Sequence, residues 1–137
     1  MPPFTHALRV RYHECDPQAI VFNAQYFAYF DIAITELWRA AFDRSYATMI
    51  ADHGIDMVVA EATARYLGSA RFDDLIDVEA GIIRLGTTGM TTRMRVRRDG
   101  ELLVEGELRH VFVDAQAWTK TPIPAPVREA LSPFAAG

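Results

Sequence analysis

The sequence predicts an α+β fold in which a curved antiparallel sheet of about five strands wraps one long helix. Three observations carry this. A single strand precedes a single long helical pattern, the remainder reads as strands joined mostly by turns, and the helix is apolar around most of its girth. Such a helix has to be enclosed, because one resting on a surface keeps a wide polar face.

The elements follow in order. Thr5 to Glu14 reads as a strand, with Ala7, Leu8, Val10 and Tyr12 among Arg9, Arg11 and His13. Cys15-Asp16-Pro17 ends it, since proline has no N–H for a ladder and drives the preceding residue towards extended backbone. A helix starts near Asn23, a good N-cap residue, and runs to about Arg44. Its apolar positions are Tyr26, Phe27, Phe30, Ala33, Ile34, Leu37, Trp38, Ala41 and Phe42, widened by Tyr29 and Ile32, while Asp31, Glu36, Arg39 and Asp43 mark a narrow polar side. Ser45 to Gly54 reads as irregular.

Four strands follow, at roughly Asp56–Leu67, Leu75–Leu85, Met90–Arg98 and Glu101–Asp114. The third alternates most clearly: Met90, Thr92, Met94 and Val96 on one face, Thr91, Arg93, Arg95 and Arg97 on the other. Asp99-Gly100 marks a hairpin. A three-residue loop, Arg98-Asp99-Gly100, sets Val96 opposite Leu102, Met94 opposite Val104 and Met90 opposite Leu108, with Arg97 facing Glu101 and Arg93 facing Glu105. A two-residue loop sets Arg97 against Leu102, charge against apolar surface, so the longer loop is the expectation.

At 137 residues, with no internal repeat, linker or low-complexity tract, the chain reads as one domain over residues 1–137. Half its residues are hydrophobic, which suits a packed core. Cys15 is the single cysteine, so no internal disulfide forms and a reducing compartment is the default. The start, Met1-Pro2-Pro3-Phe4, has neither the basic nor the apolar stretch of a secretory signal, and no segment reaches the ~20 apolar residues of a membrane span. A cytoplasmic protein is expected. A net charge of −4 argues against nucleic acid as a partner, although the basic residues are thirteen arginines and one lysine, Lys120.

The chemistry concentrates between the first strand and the helix, in Cys15-Asp16-Pro17-Gln18-Ala19-Ile20-Val21-Phe22-Asn23-Ala24-Gln25-Tyr26. An acidic side chain in that loop faces the start of a mostly buried helix, where unpaired N–H groups concentrate positive potential. Those donors suit a developing oxyanion, and a carboxylate beside them suits attack on a carbonyl or activation of water. By residue type alone, an aspartate that caps the helix or braces the loop is the commoner use.

This segment resembles the signature of the 4-hydroxybenzoyl-CoA thioesterase family of hotdog-fold enzymes. That pattern has an Asp in a loop, an Asn seven residues on, a small residue next and a Tyr ten residues on: here Asp16, Asn23, Ala24 and Tyr26, followed by Phe27-Ala28-Tyr29-Phe30-Asp31. The likeness continues through Arg65-Tyr66-Leu67-Gly68, Phe72-Asp73-Asp74, Arg98-Asp99-Gly100 and His110-Val111-Phe112-Val113-Asp114, nearly the whole chain.

The resemblance implies hydrolysis of an acyl-CoA thioester to a carboxylic acid and free CoA, without metal or organic cofactor. Asp16 would be the catalytic carboxylate, as nucleophile or general base, and the Asn23 backbone N–H would point at the thioester carbonyl. Tyr26 and Asp31 would line the acyl pocket, though Tyr26 also fits core packing and Asp31 also fits a contact with a neighbouring subunit. Arg84 and Thr88, in the Gly86-Thr87-Thr88-Gly89 turn region, fall where the family handles the CoA nucleotide; an ordinary hairpin turn with a solvated arginine fits as well.

A homo-oligomer is implied too, with active sites at a dimer interface and a tetramer expected. One departure stands out: Ala19 occupies a position where the family has glycine, a residue that accepts positive φ. Two rivals differ in kind, a hotdog hydratase or dehydratase and a non-catalytic acyl-CoA-binding module. The first wants a His-centred acid/base pair, which the Asp16 loop does not supply. His110 alternates with Leu108 and Phe112 and reads as a core-side histidine; Cys15 reads as a small buried side chain.

Overall fold

A computed structural model describes residues 3–43 and 46–135. Strand β1 is Phe4–Arg9, helix α1 Gln25–Phe42, helix α2 Tyr46–His53, and strands β2, β3, β4 and β5 are Ile55–Tyr66, Leu75–Leu85, Gly89–Arg98 and Glu101–Asp114; helix α3 is Ala125–Leu131. The strands form one antiparallel sheet in the order β1-β3-β4-β5-β2. Among the described residues no helix is long and apolar enough to cross a membrane.

The broad stripe of α1 is buried as its composition requires. Tyr26, Tyr29, Phe30, Ala33, Leu37 and Trp38 are at most 2% exposed. They pack against the inward rows of the sheet: Ile76, Val78, Ala80 and Ile82 on β3, Met90, Met94 and Val96 on β4, Val104, Leu108 and Phe112 on β5. Bulges in β2 between Val59 and Glu61, and in β3 between Ile82 and Arg84, bend the sheet around the helix. Gly106 lets β2 and α1 crowd against β5, since a Cβ there would collide with the Thr63 carbonyl oxygen and lie 3.2 Å from the Phe30 ring.

Several elements differ from expectation. The first strand ends at Arg9 rather than Glu14, because Val10 leaves the ladder for the β2–β3 loop: its N–H donates to the Asp74 carbonyl at 2.9 Å and its carbonyl accepts from Asp73. Tyr12–Glu14 is a short 3₁₀ turn. The segment expected to be irregular is α2, a two-turn helix closed by Gly54 at φ 64°. The expected end of α1 at Arg44 and the start of that segment at Ser45 lie outside the described residues; within them α1 ends at Phe42, with Asp43 left-handed at φ 53°. Helix α3 arises where the sequence showed only clustered prolines, Pro124 at its N-cap.

The hairpin expectation is also corrected. Asp99 at φ 50° and Gly100 at φ 81° form a two-residue turn, and Arg97 does lie opposite Leu102. Positive φ at both positions matches the twist of the flanking strands. The clash of charge with apolar surface is removed one step later. A register shift at Val96/Arg97 leaves Leu103 without an opposite residue, then restores Val96 opposite Val104, Arg95 opposite Glu105 and Arg93 opposite Glu107. The demand for like-with-like pairing is met by a bulge, not by the turn.

Candidate active site

The Asp16 loop is a compact hairpin of its own. Cys15 bridges Val21, the Asp16 N–H donates to the Ile20 carbonyl at 2.9 Å, and the Ala19 N–H returns to the Asp16 carbonyl at 2.9 Å. This closure places Ala19 at φ 65°. The departure at residue 19 is thus conformational: the chain puts an L-residue where backbone geometry favours glycine.

Asp16 is half-buried, and its Oδ1 accepts the Gln18 N–H at 2.8 Å. That contact fixes the carboxylate rotamer. Its other oxygen has no hydrogen-bond partner among the described residues. The carboxylate lines a cleft of about 140 Å³ with Asn23, Tyr26, Tyr66, Gly68 and Ser69.

Helix α1 opens into this cleft later than expected. Ala24, not Asn23, is the N-cap, and no side chain caps the helix. The N–H groups of Gln25, Tyr26 and Phe27 turn back to the carbonyls of Phe22, Asn23 and Ala24. Those of Asn23 and Ala24 have no acceptor among the described residues, and Asn23 lines the cleft together with Asp16. The Tyr66 hydroxyl donates to the Asn23 carbonyl at 2.9 Å and holds this segment in place.

Behind the loop lies a buried polar knot that the sequence reading missed. Glu14 is 3% exposed, and its Oε1 accepts both the Arg11 N–H and the Tyr29 hydroxyl at 2.8 Å, while Oε2 meets the Arg11 guanidinium at 3.1 Å. Burial alone would push the Glu14 carboxyl up, but these donors outweigh it and hold it below its usual range. The Tyr29 phenol is pushed up, by burial and then by the carboxylate it serves. Tyr29 and Phe30 are wholly buried, whereas Phe22 is 50% exposed.

A second brace comes from Arg98, whose guanidinium reaches the Ser69 carbonyl at 3.1 Å, Asp74 Oδ2 at 2.8 Å and Glu101 at 3.1 Å. Burial would raise the Asp74 carboxyl, but Arg98 and the Arg71 N–H hold it down. The Ala70 N–H donates to the Tyr26 hydroxyl at 3.1 Å, and burial pushes that phenol up. The scattered segments Arg65–Gly68, Phe72–Asp74 and Arg98–Gly100 thus converge on one loop.

The remaining expected residues lie elsewhere. Asp31 sits in a cleft of about 300 Å³ with Ile34, Thr35, Trp38, Met57, Val59 and His110. It is exposed by surface area, yet the surrounding atoms push its carboxyl up. Arg84 and Thr88 share a third cleft, about 360 Å³, with Arg109 and Lys120. The Asp16 cleft abuts Leu67 and Gly68, which bond to the Leu103 carbonyl, and the cationic cleft reaches Val111, so the two are eight residues of β5 apart, about 26 Å. His110 is 4% exposed, as expected of a core-side histidine, and burial holds its imidazole down to about 4. Cys15 is half-buried rather than buried.

Residues 10–131 match the Thioesterase-like superfamily. The chain belongs to that family. This thioesterase-like chain is 31% identical over 112 residues to the acyl-CoA thioester hydrolase YbgC of Escherichia coli O6:H1, covering 81% of this chain and 82% of that one. Its fold matches a crystal structure of a hypothetical protein from Aquifex aeolicus with a TM-score of 0.88 at 27% identity, covering 94% and 99% of the two chains. A thioesterase superfamily structure from Jannaschia sp. CCS1 matches with a TM-score of 0.91 at 20% identity, over 98% and 94%. The architecture is the hotdog fold, and the enzyme class of this thioesterase-like chain is thioester hydrolase.

Proposed function

We propose that the chain hydrolyses an acyl-CoA thioester to a carboxylic acid and free CoA, with Asp16 as the catalytic carboxylate. The observation that carries this is a cleft lined by both the tethered Asp16 carboxylate and Asn23, whose N–H at the head of α1 has no acceptor among the described residues. The donors of Asn23 and Ala24 would receive the thioester oxygen and favour the charge it gains in the tetrahedral state. Asp16 would take a proton from water as it attacks the carbonyl carbon, or attack that carbon itself to form a mixed anhydride that a water then hydrolyses, freeing the acid and the Asp16 carboxylate. Collapse breaks the C–S bond, and the departing CoA thiolate takes a proton. Tyr26 sits at the back of this cleft and serves more to hold Ala70 than to touch substrate.

Two copies would complete the site. β2 runs for 12 residues with only β5 beside it, and Val58, Ala60 and Ala62 lie along its exposed edge with Val59. A long apolar edge of this kind is rarely left bare. Antiparallel pairing of β2 with its own copy about its middle, near Glu61 and Ala62, would set the Met57 end of one chain beside the Tyr66 end of the other. The order β5-β2-β2-β5 then separates the Asp16 cleft of one copy from the Arg109 end of the next by three strand spacings, about 14 Å. Asp31 of one copy would face the acyl group held by the other. Arg84 and Thr88, with Arg109 and Lys120, would take the CoA phosphates, as arginine's forked donors suit them. A pair of such dimers gives the tetramer expected of the family, a single-domain cytoplasmic enzyme that works without metal or organic cofactor.

The test is release of free thiol from benzoyl, phenylacetyl and aliphatic CoA esters by purified protein. Release from at least one class at a saturable rate is expected. Binding of these esters without thiol release would instead favour an acyl-CoA-binding module, and hydration of crotonyl-CoA a hydratase.

A further inference from the structure

We propose that Trp118 is a specificity-determining residue: its indole stacks on the adenine of CoA at the rim of the cleft of Arg84, Arg109 and Lys120, so the enzyme prefers CoA esters to thioesters that end at phosphopantetheine. The inference deepens the acyl-CoA hydrolase reading and rests on it.

Trp118 is displayed rather than packed. The indole is 59% exposed, and among the described residues it meets no other aromatic ring. Its backbone is left-handed, at φ 55°. Five non-glycine residues among those described adopt positive φ. Asp43, Asp73 and Asp99 carry short polar side chains that tolerate it, whereas Ala19 and Trp118 do not. Those two strained positions fall beside the Asp16 carboxylate and beside the cationic cleft, the two ends proposed for the substrate.

The surroundings hold the strain in place. Asp114 Oδ1 accepts the N–H groups of Gln116 and Ala117 at 2.9 and 2.8 Å, and the Asp114 carbonyl accepts that of Trp118 at 2.9 Å. Ala115 donates to the Gly54 carbonyl at 3.0 Å. The loop is thus closed before any ligand arrives, which lowers the cost of ordering the ring on binding. Two residues on, Lys120 bridges Val113 and lines the cleft of about 360 Å³ with Arg84, Thr87, Thr88 and Arg109. Two residues of chain span at most about 7 Å, so the backbones of Trp118 and Lys120 border one site.

The chemistry of the occupant follows. An exposed π face beside cations that have no ion-pair partner among the described residues suits a ligand joining a flat base to phosphates through a ribose. The base stacks on the indole while arginine and lysine take the phosphates. A thioester that ends at phosphopantetheine offers the cations a phosphate but offers the indole nothing.

The test reads the ring directly. The chain has two tryptophans, and Trp38 is 1% exposed, so the emission of a solvent-exposed indole reports Trp118. CoA and adenosine 3′,5′-bisphosphate should quench that emission saturably, and 4′-phosphopantetheine should not. Trp118→Gly suits the left-handed backbone, so Tm should not fall. It should nevertheless raise KM for a CoA ester roughly ten-fold with kcat little changed, and leave KM for the matching phosphopantetheine thioester where it was. Trp118→Phe should keep most of the affinity. Should Trp118→Gly not fold, Trp118→Asn, which also accepts positive φ, is read in its place with the same expected outcome. No quenching by CoA, equal quenching by phosphopantetheine, or an unchanged KM for the CoA ester overturns the proposal and leaves the hydrolase reading intact wherever thiol is released. Emission that shifts with protein concentration and ignores nucleotide means that a second copy covers the ring, and also overturns it. Saturable quenching by the bisphosphate, in protein that releases no thiol from any ester, supports the adenine contact and overturns the hydrolase reading alone.

Discussion

At the Tyr66 end of the sheet, Arg11, Glu14, Tyr29, Asp74 and Arg98 are tied into buried or half-buried hydrogen bonds around the Asp16 loop. At the Gly86–Gly89 end, Arg84, Arg109 and Lys120 face a cleft without ion-pair partners among the described residues. There only the backbone is braced, where Arg128 of α3 bonds the carbonyls of Leu85 and Gly86. The difference follows the task proposed for each end. A carboxylate acting on one carbonyl carbon has to be held to a fraction of an ångström. Phosphates on a flexible nucleotide need positive potential more than fixed geometry, and an unpaired arginine supplies it.

The contrast can be broken from either side. Glu14→Gln should produce the larger effect. It weakens the knot behind Asp16, costing about 1–3 kcal/mol of stability at pH 7 and roughly ten-fold or more in kcat. The pH dependence carries a sign. Because the folded carboxyl lies below its ordinary 4.5, its stabilisation is present above that pH and is lost as pH falls through the lower folded value. Denaturant melts should therefore show the gap between wild type and Glu14→Gln closing below about pH 4.5. A gap independent of pH would mean the knot is not ionic.

A middle-sized effect is expected at the other end. Arg84→Ala combined with Arg109→Ala should raise KM for CoA esters roughly ten-fold, with kcat little changed and stability within ~0.5 kcal/mol. The same pair should leave KM for pantetheine thioesters, which lack the nucleotide, where it was. Equal effects on both substrates would detach this cleft from phosphate recognition. The smallest effect belongs to Ala19→Gly. Relief of the left-handed strain, partly offset by greater freedom of the unfolded chain, should stabilise by about 0.5–1 kcal/mol, read as a modest rise in Tm. A fall in Tm would mean the alanine methyl contributes packing that outweighs its strain.

Much of this was legible from residues alone. Strands β3 and β5 fall where alternation places them, and the apolar girth of α1 foretold its burial. The glycine the family keeps at residue 19 marked a departure that would reshape the loop, whereas Ala19 keeps a left-handed backbone at φ 65°. What escaped detection shares a cause: each feature depends on partners distant in sequence or on a shift of a single residue. Glu14 gives no sign of being buried until Tyr29, fifteen residues on, is seen to meet it. The bulge at Leu103 is invisible to pairing rules that allow only the turn to vary. The strand ended at Arg9 because Val10 prefers a loop more than sixty residues away. Arg109 and Lys120 join Arg84 only through the register of β5 and the Val113–Lys120 bridge.

The most direct measurement is steady-state thiol release by Asp16→Asn. An asparagine oxygen can still accept the Gln18 N–H, so the loop keeps its shape while the negative charge is removed. Turnover should fall roughly 10²- to 10⁴-fold, while Tm and the affinity for a non-hydrolysable acyl-CoA analogue stay near wild type. Turnover within about five-fold of wild type, in protein that melts normally, would contradict a catalytic carboxylate at the head of α1.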